Sequence, residues 1–204
     1  LVPPGTGSRK EIAAIARAPP GAAGPRDPGP GREGPTRPER APALRFRLEP
    51  PSPGFDDAVS GNFAAGRVEG DFVLRRADGT WAYQLAVVVD DSDAGVTEVI
   101  RGADLLPSTP RQIALYRALG RPAPDFAHLG LVVDADGRPL SKRHGSESIE
   151  ALRLAGHTPE GLIGVLAQSL GLAPTSAPIR PEELLGRFSL SQIPPASFEW
   201  EAEA

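Results

Sequence analysis

The sequence predicts an α/β fold. Strand-like segments alternate with helical ones from residue 43 onward, and the C-terminal third is dense in helix start and stop signals. No segment repeats with a period of 20–50 residues, which excludes a solenoid or propeller. The roughly 160 residues after position 42 are enough to bury a core of their own.

The elements follow in order. Residues 1–42 hold ten of the 24 prolines and seven of the 23 glycines, a composition that rarely packs. One island interrupts this arm: Ser8 stands as N-cap with Glu11 at the capping-box position, which predicts a helix over 9–17 that stops at Pro19-Pro20. Ala43–Leu48 (ALRFRL) alternates and reads as a strand, as does Phe72–Arg76. Ala77-Asp78-Gly79-Thr80 signals a hairpin turn into Trp81. Trp81–Asp91 (WAYQLAVVVDD) is open between strand and buried helix, and its β-branched run favours strand by propensity. Val96–Arg101 reads as a buried strand. Ser108-Thr109-Pro110 opens a helix that Gly120 closes. His128–Val133 is a further strand, ended by the Asp134-Ala135-Asp136-Gly137 turn. Helices are then expected over Ser146–Ala155, over the segment that Thr158-Pro159-Glu160 caps and Gly171 ends, and from Glu182 to Leu185. The tail after Ser191 reads as loop and docked end, with Trp200 in it.

Composition excludes several functions. There is no cysteine, hence no disulfide scaffold and no thiolate metal ligand or nucleophile. No apolar run approaches the ~18 residues of a membrane-spanning helix. No charged n-region precedes an apolar stretch, so the expected location is the cytoplasm, away from any membrane. Net charge is −4 and the pI about 5.5, so any nucleic-acid contact must come from a local basic patch.

Three segments carry candidate chemistry. Pro139-Leu140-Ser141-Lys142-Arg143-His144-Gly145 lies after a turn and before a helix, where two cations, a hydroxyl and backbone amides can receive phosphate. On its own, S-K-R reads equally as a solvated basic loop, and His144 as an exposed loop residue. Arg101 sits at the end of an apolar strand, a usual ligand position in α/β folds, and its guanidinium can hold a carboxylate through two bonds. A structural pair with Glu98 or Asp104 is the plainer reading. Tyr83 and Gln84 offer polar groups among apolar positions, against the plainer reading of a core tyrosine. His128 and His157 read as structural, and Asp90-Asp91 as local caps rather than Mg²⁺ ligands.

Order and spacing add what single residues lack. The run DFVLRRADGTWAYQLAVVVDD, then GVTEVIRGADLL-x-STPRQ, then HL-x-LV-x₃-DGRPLSKR resembles the second half of the catalytic domain of class I glutamyl-type aminoacyl-tRNA synthetases. The short glutamyl-queuosine tRNA(Asp) form of that family is the nearest. The resemblance covers about residues 43–171, and 172–200 more weakly. It implies a Rossmann-type catalytic half with an inserted subdomain and a short helical C-terminal region. The division it implies is 1–42 as a remnant of the zinc-type insertion, 43–145 as the second catalytic half, and 146–204 as a helical region. Residues 139–143 match the family's KMSKS signature. Leu140, Ser141, Lys142 and Arg143 are thereby implied to bind ATP, which brings Mg²⁺ with it, and Lys142 to stabilise the leaving pyrophosphate. Tyr83 and Arg101 match glutamate-contacting positions, and WAYQLAVVVDD matches a segment expected to be helical.

The resemblance also implies departures. The HIGH-bearing nucleotide-binding half has no counterpart here, since no histidine precedes His128 and there is no methionine at all, so the chain is expected to start mid-domain and to be inactive alone. Gly5, Gly7, Asp27 and Gly31 stand where zinc ligands are expected, and three glycines with one aspartate cannot make a tetrahedral site, so no zinc is expected. The implied activity is ATP-dependent activation of glutamate and its transfer to queuosine of tRNA(Asp) by a monomer. About 60 residues follow Arg143, too few for the anticodon domain of a full glutamyl-tRNA synthetase. A truncated synthetase charging tRNA(Glu), or a non-catalytic remnant that binds tRNA or a protein partner, are the alternatives.

Overall fold

The computed structural model describes residues 42–140 and 148–199. The expected helix over 9–17, the four zinc-ligand positions, Ser141–His144 and Trp200 lie outside the described residues.

Strands and helices alternate as an α/β chain should. The order is β1 (Leu44–Phe46), β2 (Phe55–Asp57), β3 (Gly61–Phe63), β4 (Phe72–Arg75), α1 (Tyr83–Asp93), β5 (Glu98–Gly102), a 3₁₀ segment (Ala103–Ser108) and α2 (Thr109–Ala118). Then come β6 (Asp125–Leu129), β7 (Val132–Val133), α3 (Ile149–Leu154), α4 (Pro159–Ser169), α5 (Pro181–Leu184) and β8 (Phe198–Glu199). The strands form a pair β1-β4, a four-stranded sheet ordered β3-β2-β6-β5, and a pair β7-β8. Among the described residues no helix is long and apolar enough to cross a membrane. The chain divides into two compact units. The first takes the described residues up to Asp56, then Asn62–Val99 and Leu105–Phe126; the second takes Asp57–Gly61, Ile100–Asp104 and the described residues from Ala127 on.

In the first unit β1 runs antiparallel to β4, pairing Phe46 with Phe72 and Leu44 with Arg75. Leu48, Phe63, Val68, Phe72, Leu74, Val88, Leu115 and Tyr116 form its apolar core. The expected turn closes on Asp78-Gly79: the Gly79 amide donates to Arg76 O at 3.0 Å, the Thr80 amide to Asp78 Oδ1 at 2.9 Å, and Gly79 takes φ +86. The returning strand ends at a single bridge, Trp81 to Arg75, and the chain becomes α1. The strand preference of WAYQLAVVVDD is therefore corrected, and the helix that the resemblance implied is what forms. A helical face places Val88, 1% exposed, and Leu85 one turn earlier against the core. Helix propensity disfavours valine by only a few tenths of a kcal/mol, whereas burying one is worth about 1.5–3 kcal/mol, so packing wins.

β5 corrects a second expectation. It is the end strand of the four, and Ile100 is 45% exposed, so it is not a buried strand. Glu98 and Ile100 face out while Val99 and Arg101 are half-buried, the alternation of a strand with one covered face. Ser108 precedes α2 without a capping bond from its side chain, because the 3₁₀ segment runs straight into the helix. Gly120 ends that helix at φ +66.

In the second unit, the single strand expected over His128–Val133 is split into β6 and β7 at Gly130-Leu131. The cause is a close approach by the C-terminal segment. A Cβ on Gly130 would stand 1.9 Å from Ala196 O, the Phe198 amide donates to Leu131 O at 2.8 Å, and β8 then runs parallel to β7. The Asp134–Gly137 turn forms as expected, with Gly137 at φ +73, and Val133 bridges back to Pro139. Ser148 Oγ accepts from the Ala151 amide at 3.0 Å to cap α3, and Thr158 Oγ1 from the Gly161 amide at 3.1 Å to cap α4, which Pro159 opens. Replacing Gly130 with alanine forces the Ala196 segment away. We expect a loss of about 1–3 kcal/mol, read as a lower urea midpoint at unchanged slope. An unaltered midpoint would contradict this packing.

Candidate active site

Arg101 projects from β5, and its Nε donates to His128 Nε2 at 3.0 Å. His128 lies in β6 at 0% exposure. Its Nδ1 meets Asp57 Oδ2 at 2.5 Å, and its backbone amide donates to Asp57 Oδ1 at 3.0 Å. Asp57 ends β2 at the turn into β3, and its Oδ1 also accepts the Val59 and Ser60 amides at 3.1 and 2.8 Å. The Ser60 hydroxyl donates to His128 O at 3.2 Å. Every one of these residues belongs to the second unit.

The chemistry of the donors fixes the protonation. Arginine only donates, so His128 Nε2 must accept and carries no proton. The proton is then on Nδ1, donated to Asp57 Oδ2. Electrostatics agrees. Burial pushes the His128 imidazole below its ordinary range; Asp57 and Asp104 oppose this, Arg101 assists, and burial prevails. For Asp57 burial alone would raise the carboxyl, but the bonds from the His128 ring and from the Ser60, His128 and Val59 amides outweigh it and hold it below its usual value. The arrangement is an ionised carboxylate, a neutral imidazole and a guanidinium in line. Gly102 lets Asp104 fold in beside this line, since a Cβ there would stand 2.6 Å from Asp104 Oδ1.

Tyr83, in the first unit, is the first residue of α1 and is 50% exposed, so the core-tyrosine reading does not hold. Its neighbour Gln84 donates from Nε2 to Ser108 Oγ at 3.0 Å and accepts from buried Gln112 Nε2 at 2.9 Å, which ties the start of α1 to the start of α2. Beside it Trp81 is exposed, with the Arg75 guanidinium 5.0 Å above its ring.

Leu140 closes the β7 hairpin, its amide donating to Val132 O at 3.0 Å. Ser141, Lys142 and Arg143 follow directly, outside the described residues. Among the described residues no cluster of three histidine, aspartate or glutamate side chains is placed to hold a metal. Of the residues singled out from sequence, Arg101 and His128 are brought together. Asp57, which organises both, was missed; its signal, an aspartate three residues before a serine and four before a glycine, is only that of a polar turn.

Comparison with known proteins supplies the family. Residues 32–187 match the family described as tRNA synthetases class I (E and Q), catalytic domain. The glutamyl-Q tRNA(Asp) synthetase of Symbiobacterium thermophilum is 49% identical over 92% of this chain and 61% of that protein. A glutamate–tRNA ligase of Nitrosococcus oceani is 43% identical over 79% of this chain and 36% of its own length. The crystal structure of a glutamate tRNA ligase from Elizabethkingia meningosepticum, in complex with its amino acid, superposes with a TM-score of 0.66 at 29% identity, over 79% of this chain and 36% of that one. The chain thus spans about three fifths of the first of these relatives and a smaller share of the others. With the match extending from residue 32 to residue 187, the chain belongs to the class I glutamyl- and glutaminyl-type tRNA synthetase family, within its catalytic domain.

Proposed function

We propose that this chain is the signature-loop part of a catalytic domain that activates glutamate with ATP and transfers the glutamyl group to queuosine of tRNA(Asp). The observation that carries this reading is the 49% identity, over 92% of the chain, to a protein named for that activity. Region 43–145 is then the second half of a Rossmann-type domain, 146–204 its helical extension, and 1–42 the remnant of an insertion.

Named residues support the reaction. In the first step a glutamate carboxylate oxygen bonds to the α-phosphorus of ATP, and the bond to the β-phosphate oxygen breaks to release pyrophosphate. In the second step an oxygen of the acceptor nucleoside attacks the acyl carbon and AMP leaves. Arg101 suits the carboxylate that is not activated, because that group keeps its charge throughout and a guanidinium pairs with it through two bonds. Tyr83, exposed at the start of α1, offers a hydroxyl to the same amino acid. Leu140, Ser141, Lys142 and Arg143 bind ATP. Lys142 neutralises charge on the departing pyrophosphate, an electrostatic contribution that needs no covalent step.

The alternative acceptor is tRNA(Glu), favoured by the 43% identity to a glutamate–tRNA ligase. Charging assays with queuosine-containing tRNA(Asp) and with tRNA(Glu) separate the two. For the activation step, we expect glutamate-dependent ATP–pyrophosphate exchange from a protein that joins this chain to the share of the relatives it does not span. Lys142→Ala should slow exchange by about 10²–10³-fold with the fold retained. No exchange, with or without tRNA, would overturn the enzyme reading, and exchange unchanged in Lys142→Ala would remove that role from Lys142.

A further inference from the structure

We infer that Asp57 and His128 are positioning residues for Arg101: the carboxylate sets the imidazole tautomer, and the imidazole in turn sets the plane in which the guanidinium meets a substrate carboxylate. The inference rests on the reading that Arg101 receives the amino acid.

A guanidinium on a long, rotatable side chain can swing unless one of its nitrogens is held. Nε is the nitrogen nearest the main chain, so a bond there fixes the plane of the rigid fork of donors. His128 Nε2 makes that bond at 3.0 Å. The imidazole is itself immobile: it has no exposed surface, its Nδ1 is held by Asp57 Oδ2, and its backbone amide by Asp57 Oδ1. Asp57 is fixed by the Val59 and Ser60 amides of its own turn. Each member is thus oriented by the one behind it, and the three residues stand on β2, β6 and β5, successive neighbours in one sheet. Partners that orient metal-ligating histidines contribute about 10- to 100-fold, and the same scale is expected for a partner that orients a guanidinium.

The arrangement also sets a pH dependence. Among the described residues, the charged groups facing His128 include Asp57 from β2, Arg101 from β5 and Asp104 from the turn after β5. Protonation of Nε2 turns an acceptor into a donor, so the Arg101 bond is lost and two cations face each other. Because the imidazole is held below its ordinary value of 6.5, the bond persists at neutral pH and is lost only on acidification. The sign for stability is the same. A lowered folded-state value means the unfolded chain takes up the proton more readily, so this contribution is present above pH 6.5 and declines as pH falls below it.

The test uses the 204-residue chain with ¹⁵N-labelled arginine, as wild type, His128→Leu and His128→Gln, the last keeping an acceptor oxygen toward Arg101. The Arg101 Nε–H is expected to exchange with water about tenfold more slowly in wild type and His128→Gln than in His128→Leu, the worth of one net hydrogen bond. Titration with L-glutamate, followed on the Arg101 signals, should show affinity reduced roughly 10- to 100-fold in His128→Leu and restored in His128→Gln. Wild-type affinity should fall more steeply on acidification below pH 6.5 than that of His128→Gln, in which only the ligand's own carboxylates titrate. Equal Arg101 exchange in all three proteins, equal affinity, or the same acid dependence in wild type and His128→Gln would overturn the proposal. Should His128→Leu fail to fold, the difference in acid dependence between wild type and His128→Gln decides. If Arg101 is protected as expected but L-glutamate moves none of its signals, the positioning stands and it is the glutamate reading that falls.

Discussion

A carboxylate with no exposed surface must find its partners inside the protein, and Asp57 finds four: the imidazole of His128 and the amides of Val59, Ser60 and His128. Taking such a charge out of water costs several kcal/mol unless hydrogen bonds offset it, and removing one partner from a buried ionic arrangement typically costs about 3–5 kcal/mol. The turn from β2 into β3 is shaped to supply two of these donors, and β6 is placed to supply the others. The register of these strands is therefore tied to one aspartate and one histidine, 71 residues apart in sequence.

The neutral imidazole between Asp57 and Arg101 has a specific consequence. His128 donates from Nδ1 to Asp57 and accepts at Nε2 from Arg101, so the carboxylate reaches the guanidinium only through the ring. With His128 in between, the carboxylate's charge is spent on orientation, and the guanidinium is held at Nε by a neutral acceptor. In the first unit the Gln84–Ser108–Gln112 bonds do comparable work without charge, tying the start of α1, where Tyr83 stands, to the start of α2.

Much of this was legible in the sequence, and the parts that were not have physical reasons. Some caps and turns were readable because their chemistry is local: Thr158 caps the helix that follows it, and Gly79 and Gly137 take the positive φ their turns require, whereas Ser148, within the helix expected from Ser146, was not read as a cap. Segments decided by distant packing were not. WAYQLAVVVDD becomes helix because Val88 and Leu85 meet the core on a helical face. His128–Val133 breaks because the chain near Ala196 arrives at Gly130. Val96–Arg101 reads as apolar, yet it stands at the end of its sheet. At the site, Arg101 was visible from its position on a strand, and His128 only as a structural residue. Asp57 was invisible, because β2 and β3 are each three residues long and nothing near Asp57 in sequence points to its partner on β6.

The central claim is that His128 is a neutral imidazole, protonated at Nδ1 toward Asp57 and unprotonated at Nε2 toward Arg101. The most direct measurement is the ¹⁵N spectrum of the labelled His128 ring across a pH titration, which separates the two tautomers and the doubly protonated form. The structure predicts a protonated Nδ1 and a bare Nε2 at neutral pH, with conversion to the imidazolium only below the ordinary value of 6.5. A proton on Nε2 at neutral pH, in either the opposite tautomer or the imidazolium, would contradict it.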